Sequence, residues 1–298
     1  FPSMNSIFES DARTHYNHLF PIGTTTVTCA ATDTAGNTGT ASFTVTVTEP
    51  AAPSDPGAPY TITDDSTGGD CQYIGTWNSG TKTCTLTSSI SSTSSGIIIG
   101  SDGITIDGTT NITQITGAYS SASGGDFGVD ARNSNNFTIK NLNIQGFGVG
   151  IMSRHSNESN PCDTCISTII NNEIRLNNSA GIFSGWDVRL QIISNFINQN
   201  GGNGITLRDI PAWSEHTGGG CNSFVVKQNT ITSNAGNGVD IANASSICFE
   251  QNTSNDNLKG FYLFASNTNH IFQTNTANSN TNSGFDFSGS TDFVFTGD

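Results

Sequence analysis

Three periodic observations predict an all-β solenoid, a right-handed parallel β-helix of about 23 residues per coil. The first is a glycine followed by an apolar residue: Gly128-Val129, Gly150-Ile151, Gly181-Ile182, Gly204-Ile205, Gly238-Val239, Gly260-Phe261 and Gly284-Phe285, in steps of 22, 31, 23, 34, 22 and 24. The second is the series Asn172, Asn195, Asn229, Asn252 and Asn275, in steps of 23, 34, 23 and 23. The third, Asn177, Asn200, Asn234, Asn257 and Asn280, follows it in parallel. The long steps read as insertions into a common period. Coils stacked about 4.8 Å apart put equivalent residues over one another, so the asparagine amides can hydrogen-bond from coil to coil.

Composition agrees with an all-β reading. Strong helix formers are scarce, and 33 glycines with abundant Ser, Thr and Asn supply short β-runs separated by polar turns. Asp and Glu number 24 against 10 Lys and Arg, a net charge of −14, which excludes nucleic acid and anionic membrane surfaces as partners. No apolar run reaches the roughly 18 residues of a membrane span, so no membrane insertion is expected. No signal peptide is visible at Phe1, and the chain reads as a mature form or an internal piece.

Seven cysteines imply three bridges and one leftover thiol, hence an extracellular or cell-surface setting. Cys71 and Cys84 bracket a short Gly/Thr-rich segment and are expected to pair. Cys162 and Cys165 form a CxxC with no following helix and no second CxxC, so a loop disulfide or two idle thiols is preferred to zinc or redox chemistry. Cys221 and Cys248 remain as a third pair.

The chain divides into residues 1–48, a Pro-rich linker at 49–59 (EPAAPSDPGAP) and the solenoid at 60–298. Residues 20–48, FPIGTTTVTCAATDTAGNTGTASFTVTVT, alternate Thr and Val on both sides of Asp33–Asn37, which predicts a β-hairpin. In the solenoid, Ile139, Leu142, Ile144, Val226 and Ile231 are expected to stack inward. The end at 293–298 carries no capping element, which predicts either continuation of the chain or self-association through that coil.

The hairpin resembles the C-terminal half of a hyalin-repeat (HYR) module, an immunoglobulin-like adhesion domain. That resemblance implies that Cys29 lacks its usual partner, because the front half of the module is not recognisable in residues 1–19. The repeat resembles the right-handed β-helix families, including pectate-lyase-like and NosD-like proteins, over about Ile90 to Asp298. It implies the fold and leaves the activity open among lyases, hydrolases, epimerases and passive binding surfaces. The Gly-His-Gly and Asp-Pro-His motifs of sugar-active relatives are absent, and the only Asp-Asp, Asp64-Asp65, precedes the recognisable repeats. Together the two modules resemble archaeal or bacterial cell-surface architectures.

With the register fixed, one face can be read. Val129, Ile151, Ile182, Ile205, Val239, Phe261 and Phe285 point inward, so Asp130, Met152, Phe183, Thr206, Asp240, Tyr262 and Asp286 are expected to face solvent. Two positions on, Arg132, Arg154, Gly185, Arg208, Ala242, Phe264 and Ser288 form a second outward ladder. Both insertions leave this edge, after His155 and after Asp209, carrying Glu158, Trp213, Glu215 and His216; Trp186, Asp187 and Arg189 lie between them. Such loops on a regular scaffold are where function concentrates.

The expected partner is therefore a polysaccharide or oligosaccharide. Trp186, Trp213 and Tyr262 would stack on sugar rings, and Arg132, Arg154, Arg189 and Arg208 would fork onto carboxylates or sulfates. A glycosidase needs two carboxyls, about 5–5.5 Å or 6.5–9.5 Å apart. Asp187 and Asp209, expected roughly 5–8 Å apart on adjacent coils, are the first pair, with Asp240, Glu158 and Glu215 as substitutes. A polysaccharide lyase is the second choice, with Arg154 or Arg208 neutralising a uronate and His155 or His216 as base. The alternative is a non-catalytic adhesion or glycan-binding surface. No cofactor is expected; calcium is the one weak candidate, and copper lacks its soft ligands.

Overall fold

The computed structural model describes residues 19–49, 54–109, 114–118, 125–155, 165–186, 189–211, 224–265, 267–288, 290–291 and 293–297. Contacts divide the chain into two units, 1–55 and 56–298. The first unit contains the strands Gly23–Thr32 and Thr38–Val47, paired antiparallel from Gly23 opposite Val47 to Thr32 opposite Thr38. Asp33 closes the turn by accepting hydrogen bonds from the Ala35 and Asn37 amides at 2.9 Å. One face of the hairpin is a hydroxyl ladder, in which Thr24–Thr46, Thr28–Ser42 and Thr32–Thr38 touch at 3.2, 2.8 and 2.8 Å.

The second unit is the solenoid. Its described strands form sheets of nine, ten and seven strands, joined by connections that carry the chain from sheet to sheet once per coil. Every pairing in them is parallel except Gly75–Asn78 with Thr83–Leu86. That short hairpin follows a one-turn helix, Cys71–Ile74, and the Cys71–Cys84 disulfide ties the two together. Cys165 and Cys248 are also disulfide-bonded, and Cys29 is an exposed free thiol. Cys162 and Cys221 lie outside the described residues.

The interior is a set of columns running along the solenoid axis. In the ten-stranded sheet Ile106, Ile139, Ile169, Ile192, Val226, Phe249, Phe272 and Phe295 succeed one another. The column changes from aliphatic to aromatic, and the Phe249 and Phe272 rings stack with centroids 4.7 Å apart. The seven-stranded sheet changes in the opposite sense, Ile115, Ile144, Ile174, Ile197 and Ile231 giving way to Ser254. Larger rings on one wall thus fill what smaller residues on another leave, holding the interior near native density.

From the strand Thr138–Lys140 onward, the corners between the ten- and seven-stranded sheets use one residue in the left-handed region: Asn141, Asn171, Ser194, Gln228, Gln251 and Thr274, with φ between 53° and 58°. Starting with the second of these corners, the next residue is Asn172, Asn195, Asn229, Asn252 or Asn275, each at most 2% exposed. Asn229 Oδ1 accepts from both the backbone N–H and the side-chain amide of Asn195, at 2.9 and 3.0 Å. Its own Nδ2 donates to the Ile192 carbonyl at 2.8 Å and to Asn252 Oδ1 at 3.0 Å. The Asn177 series does the same at the next corner, Asn200 Oδ1 accepting from the Asn177 N–H and Nδ2 at 3.0 Å. These amides satisfy buried backbone donors where the strands bend out of register with ordinary pairing.

The periodic glycines are explained by coil stacking. A Cβ at Gly181 would fall 2.6 Å from Ile197 Cγ2 and 2.8 Å from the Gly204 carbonyl oxygen. Only hydrogen fits between two coils there, so the glycine is a packing requirement and a reliable marker of register.

Candidate functional site

The outward face of the nine-stranded sheet is built from Phe127–Asp130, Val149–Arg154, Ile182–Gly185, Ile205–Arg208, Val239–Ala242, Lys259–Phe264 and Ser283–Asp286. Its first column runs Asp130, Met152, Phe183, Thr206, Asp240, Tyr262, Asp286. Its second runs Arg154, Gly185, Arg208, Ala242, Phe264. Arg132 heads that column, since the Ala131 and Asn133 amides donate to the Met152 and Arg154 carbonyls at 2.8 and 2.9 Å. Three of the chain's few arginines therefore share one line along the solenoid.

The three are not equivalent. Arg132 makes a two-pronged ion pair with Asp130, Nε to Oδ1 at 2.9 Å and Nη2 to Oδ2 at 2.6 Å, with its guanidinium 4.8 Å from the Phe127 ring centroid. The Asp130 hydrogen bonds raise the Arg132 pKa above its ordinary value. Arg208 reaches to the next coil, where Nη2 pairs with Asp240 Oδ1 and Nη1 donates to the Asp240 carbonyl at 3.0 Å. It continues to 5.2 Å from the Phe264 ring centroid, spanning Ala242, whose small side chain lies buried beneath it. Arg154 is exposed and forms no ion pair among the described residues.

Asp130, Thr206 and Asp240 were expected to face solvent; all three are buried, at 5–6% exposure. The pleat directs them outward as the register requires, but the coil on either side and the long arginine side chains cover them. Asp240 also accepts from Asn237 Nδ2 at 2.6 Å, so its two oxygens are held by Arg208 and Asn237.

A third line runs along the edge where the chain leaves the sheet. His155, Trp186 and Asp209 donate their backbone N–H groups to the Gly185, Arg208 and Ala242 carbonyls at 3.1, 3.2 and 3.1 Å. Trp186, Asp209, Asn243 and Ala265 have φ of 59°, 53°, 53° and 62°, the left-handed residues of this corner. Asp209 accepts from Asn243 Nδ2 at 3.1 Å. His155 is buried, Trp186 is half-buried, and Arg154 stands next to both in register.

Asp187, Glu158, Glu215, His216 and Trp213 lie outside the described residues. The neighbour of Asp209 on the preceding coil is Trp186. Asp187 is one position further along the chain. Asp209 and Asp240 do not substitute as a pair: Asp240 is level with Thr206, three residues before Asp209, so their Cα atoms are about 11 Å apart by strand and coil spacing. Arg189 leads into the strand Leu190–Ile193 of the ten-stranded sheet, where its carbonyl accepts the Ser167 amide at 3.0 Å, off the arginine line.

Sequence reading missed Phe127, Asn237 and Lys259. Lys259 Nζ lies 3.5 Å from the Tyr262 ring centroid and 2.7 Å from Asp286 Oδ2, so Tyr262 already carries a cation. Spacing was the available signal: Asn237 and Lys259 each precede a column-one residue by three. Among the described residues no group of three or more His, Cys, Asp and Glu side chains gathers as a metal site.

The profile of the right handed beta helix region family matches residues 127–298, more than half the chain. The chain belongs to the right-handed β-helix family. A HYR domain profile matches residues 5–47, the segment that contains the hairpin. A search of curated proteins finds no match. Among solved structures, the periplasmic alginate epimerase AlgG is similar, with a TM-score of 0.53 at 16% identity over 70% of this chain. This β-helix chain spans 48% of that protein's length, and the likeness is one of fold.

Proposed function

We propose that this protein is a carbohydrate-active protein of the cell surface or extracellular space, which lays an extended polysaccharide across the coils of its nine-stranded sheet. The observation that carries the reading is the single line of Arg132, Arg154 and Arg208, flanked by the Phe183, Trp186, Tyr262 and Phe264 rings at the edge from which both insertions depart. Regular spacing of charge and aromatic faces along an axis suits a regular polymer better than a compact ligand. The periplasmic alginate epimerase similar in fold acts on a polysaccharide, and the HYR match supports a surface setting.

For turnover, glycoside hydrolysis is our first reading, with Asp209 beside Trp186 and Asp187 as the carboxyl pair, and Glu158 and Glu215 on the insertions as alternatives. Elimination is second, with Arg154 as the cation and His155 or His216 as the base. The Arg208–Asp240 pairing favours a further reading, in which the face binds glycan without chemistry. Incubation with a panel of neutral polysaccharides and uronans separates these. Hydrolysis releases reducing ends and is lost in Asp209→Asn; elimination releases unsaturated products absorbing in the ultraviolet and is lost in Arg154→Gln. Binding without product selects the last reading, and neither binding nor product from any polysaccharide rejects the proposal.

A further inference from the structure

An asparagine two residues before Ser or Thr, with any residue but proline between them, is the acceptor pattern for an N-linked glycan. Among the described residues the pattern occurs at Asn136-Phe137-Thr138, Asn177-Asn178-Ser179, Asn243-Ala244-Ser245 and Asn252-Thr253-Ser254. The same pattern at Asn111 and Asn157 lies outside the described residues. A chain this rich in Asn, Ser and Thr generates acceptor patterns from composition alone, so burial and bonding have to sort them.

Asn177 and Asn252 belong to the interior ladders and are each 1% exposed. Asn252 Nδ2 donates to the Val226 carbonyl at 2.8 Å and to Asn275 Oδ1 at 2.9 Å, and Asn177 Nδ2 donates to Asn200 Oδ1 at 3.0 Å. A sugar on either nitrogen would replace a bonded hydrogen inside the solenoid, where no space exists for it. Asn136 and Asn243 are exposed, and both lie at the corner between the nine- and ten-stranded sheets. Asn136, with φ of 55°, stands before the buried Phe137, and its side chain forms no hydrogen bond among the described residues. Asn243 Nδ2 gives one hydrogen to Asp209 Oδ1 at 3.1 Å. A glycosylated asparagine keeps one N–H, so that bond and a glycan are compatible. The register sets the two residues four coils apart, about 19 Å along the axis.

We propose that Asn136 and Asn243 carry N-linked glycans, which makes this corner a glycosylated edge of the solenoid. The inference rests on the surface setting and is independent of what the nine-stranded sheet binds. The donor is a lipid-linked oligosaccharide, and a membrane transferase catalyses the step. Asn Nδ2 bonds to C1 of the first sugar, the C1–O bond to the lipid phosphate breaks, the phosphate leaves with that electron pair, and the amide proton passes to base. Nothing is oxidised or reduced. Thr138 is paired in register with Thr105 on one side and Thr168 on the other, and Ser245 Oγ bonds Thr268 Oγ1 at 2.9 Å. The folded coils therefore cannot offer an extended acceptor, and transfer precedes their closure. Folding then selects: glycans at Asn136 and Asn243 project into solvent, whereas one at Asn177 or Asn252 prevents the ladder from forming.

The test is secretion of the full chain from a host that performs N-glycosylation, with a flexible C-terminal tag bearing one acceptor sequence as internal standard. Enzymatic release of the glycans in heavy-oxygen water converts each occupied asparagine to labelled aspartate, which peptide mass spectrometry locates. The expected result, in secreted protein with a cooperative thermal transition and an occupied tag, is label at Asn136 and Asn243 and none at Asn177 or Asn252. Thr138→Val and Ser245→Ala, which keep the asparagines, should each remove one glycan and leave the other in place. An unlabelled Asn136 or Asn243 beside an occupied tag overturns that site, and both unlabelled overturn the proposal. Label at Asn177 or Asn252 in the same folded material overturns the selection by burial on which the assignment stands.

Discussion

Two corners of the same coil behave in opposite ways. Between the ten- and seven-stranded sheets, the described turns are short and each Asn of the Asn172 series bonds to the next, with every step buried. Between the nine- and ten-stranded sheets, the aligned positions hold His155, Trp186, Asp209, Asn243 and Ala265, and both long insertions enter there. The left-handed residue is common to both corners. What differs is how regularly the neighbour satisfies a buried backbone donor: the Asn172 series does so coil after coil, whereas at the other corner Asn267 Oδ1 accepts the buried Ala244 N–H at 3.1 Å and the positions beside it vary. Where the ladder runs unbroken, Asn recurs at a fixed spacing; where it does not, side chains vary and loops can grow.

The largest expected effect is therefore on the asparagine ladder. Asn229→Leu removes the acceptor of the buried Asn195 N–H and the donor to the Ile192 carbonyl, and should cost about 4 kcal/mol in denaturant unfolding. A cost below about 1 kcal/mol would make the ladder incidental.

His270 extends the comparison to pH. It occupies an equivalent bonding role between coils, with Nδ1 accepting the Ile247 amide at 3.3 Å, and burial lowers its pKa to about 4. The unfolded chain takes up the proton first as pH falls below about 6.5. Stability is therefore complete above that value, declines between about 6.5 and 4, and levels below it, a loss on the order of 3 kcal/mol. Unfolding measured across this window should show the extra slope in the parent and not in His270→Asn; identical slopes would contradict it.

Asp240→Ala should cost about 2 kcal/mol, because it strands a half-buried Arg208 and frees the Asn237 amide. If stability were unchanged, Asp240 would be available for chemistry after all. The smallest effect belongs to the open corner. Asn243→Gly keeps the left-handed conformation and loses one exposed hydrogen bond to Asp209, so unfolding should stay within about 1 kcal/mol of the parent. A loss comparable to that of Asn229→Leu would erase the distinction between the corners.

The same contrast decides what could be read from the chain. Gly150, Gly181 and Gly204 each abut the next coil's backbone and admit no Cβ, so their spacing reports stacking directly, and the columns deduced from them are the columns observed. Alternation along a strand gives the direction of a side chain but says nothing of what lies over it. Asp130 and Asp240 point outward as read and are nevertheless covered, because the covering groups, Arg132 and Arg208, are long enough to fold back or to reach another coil. The left-handed corner positions were invisible for a related reason: Asn171, Ser194, Gln228 and Thr274 share a conformation but no side-chain chemistry, and only the asparagine after each betrays it.

Alignment along the solenoid axis is the claim on which the arginine line and the polysaccharide reading both depend, and a spin-label distance tests it without any ligand. With Cys29 replaced by Ser and the disulfides intact, labels at residues 132 and 264 occupy one column five coils apart, which predicts a single distribution centred near 24 Å, broadened by the label arms. A distribution centred beyond about 40 Å, or split into separate populations, would place Arg132 and Phe264 on different faces and contradict the account.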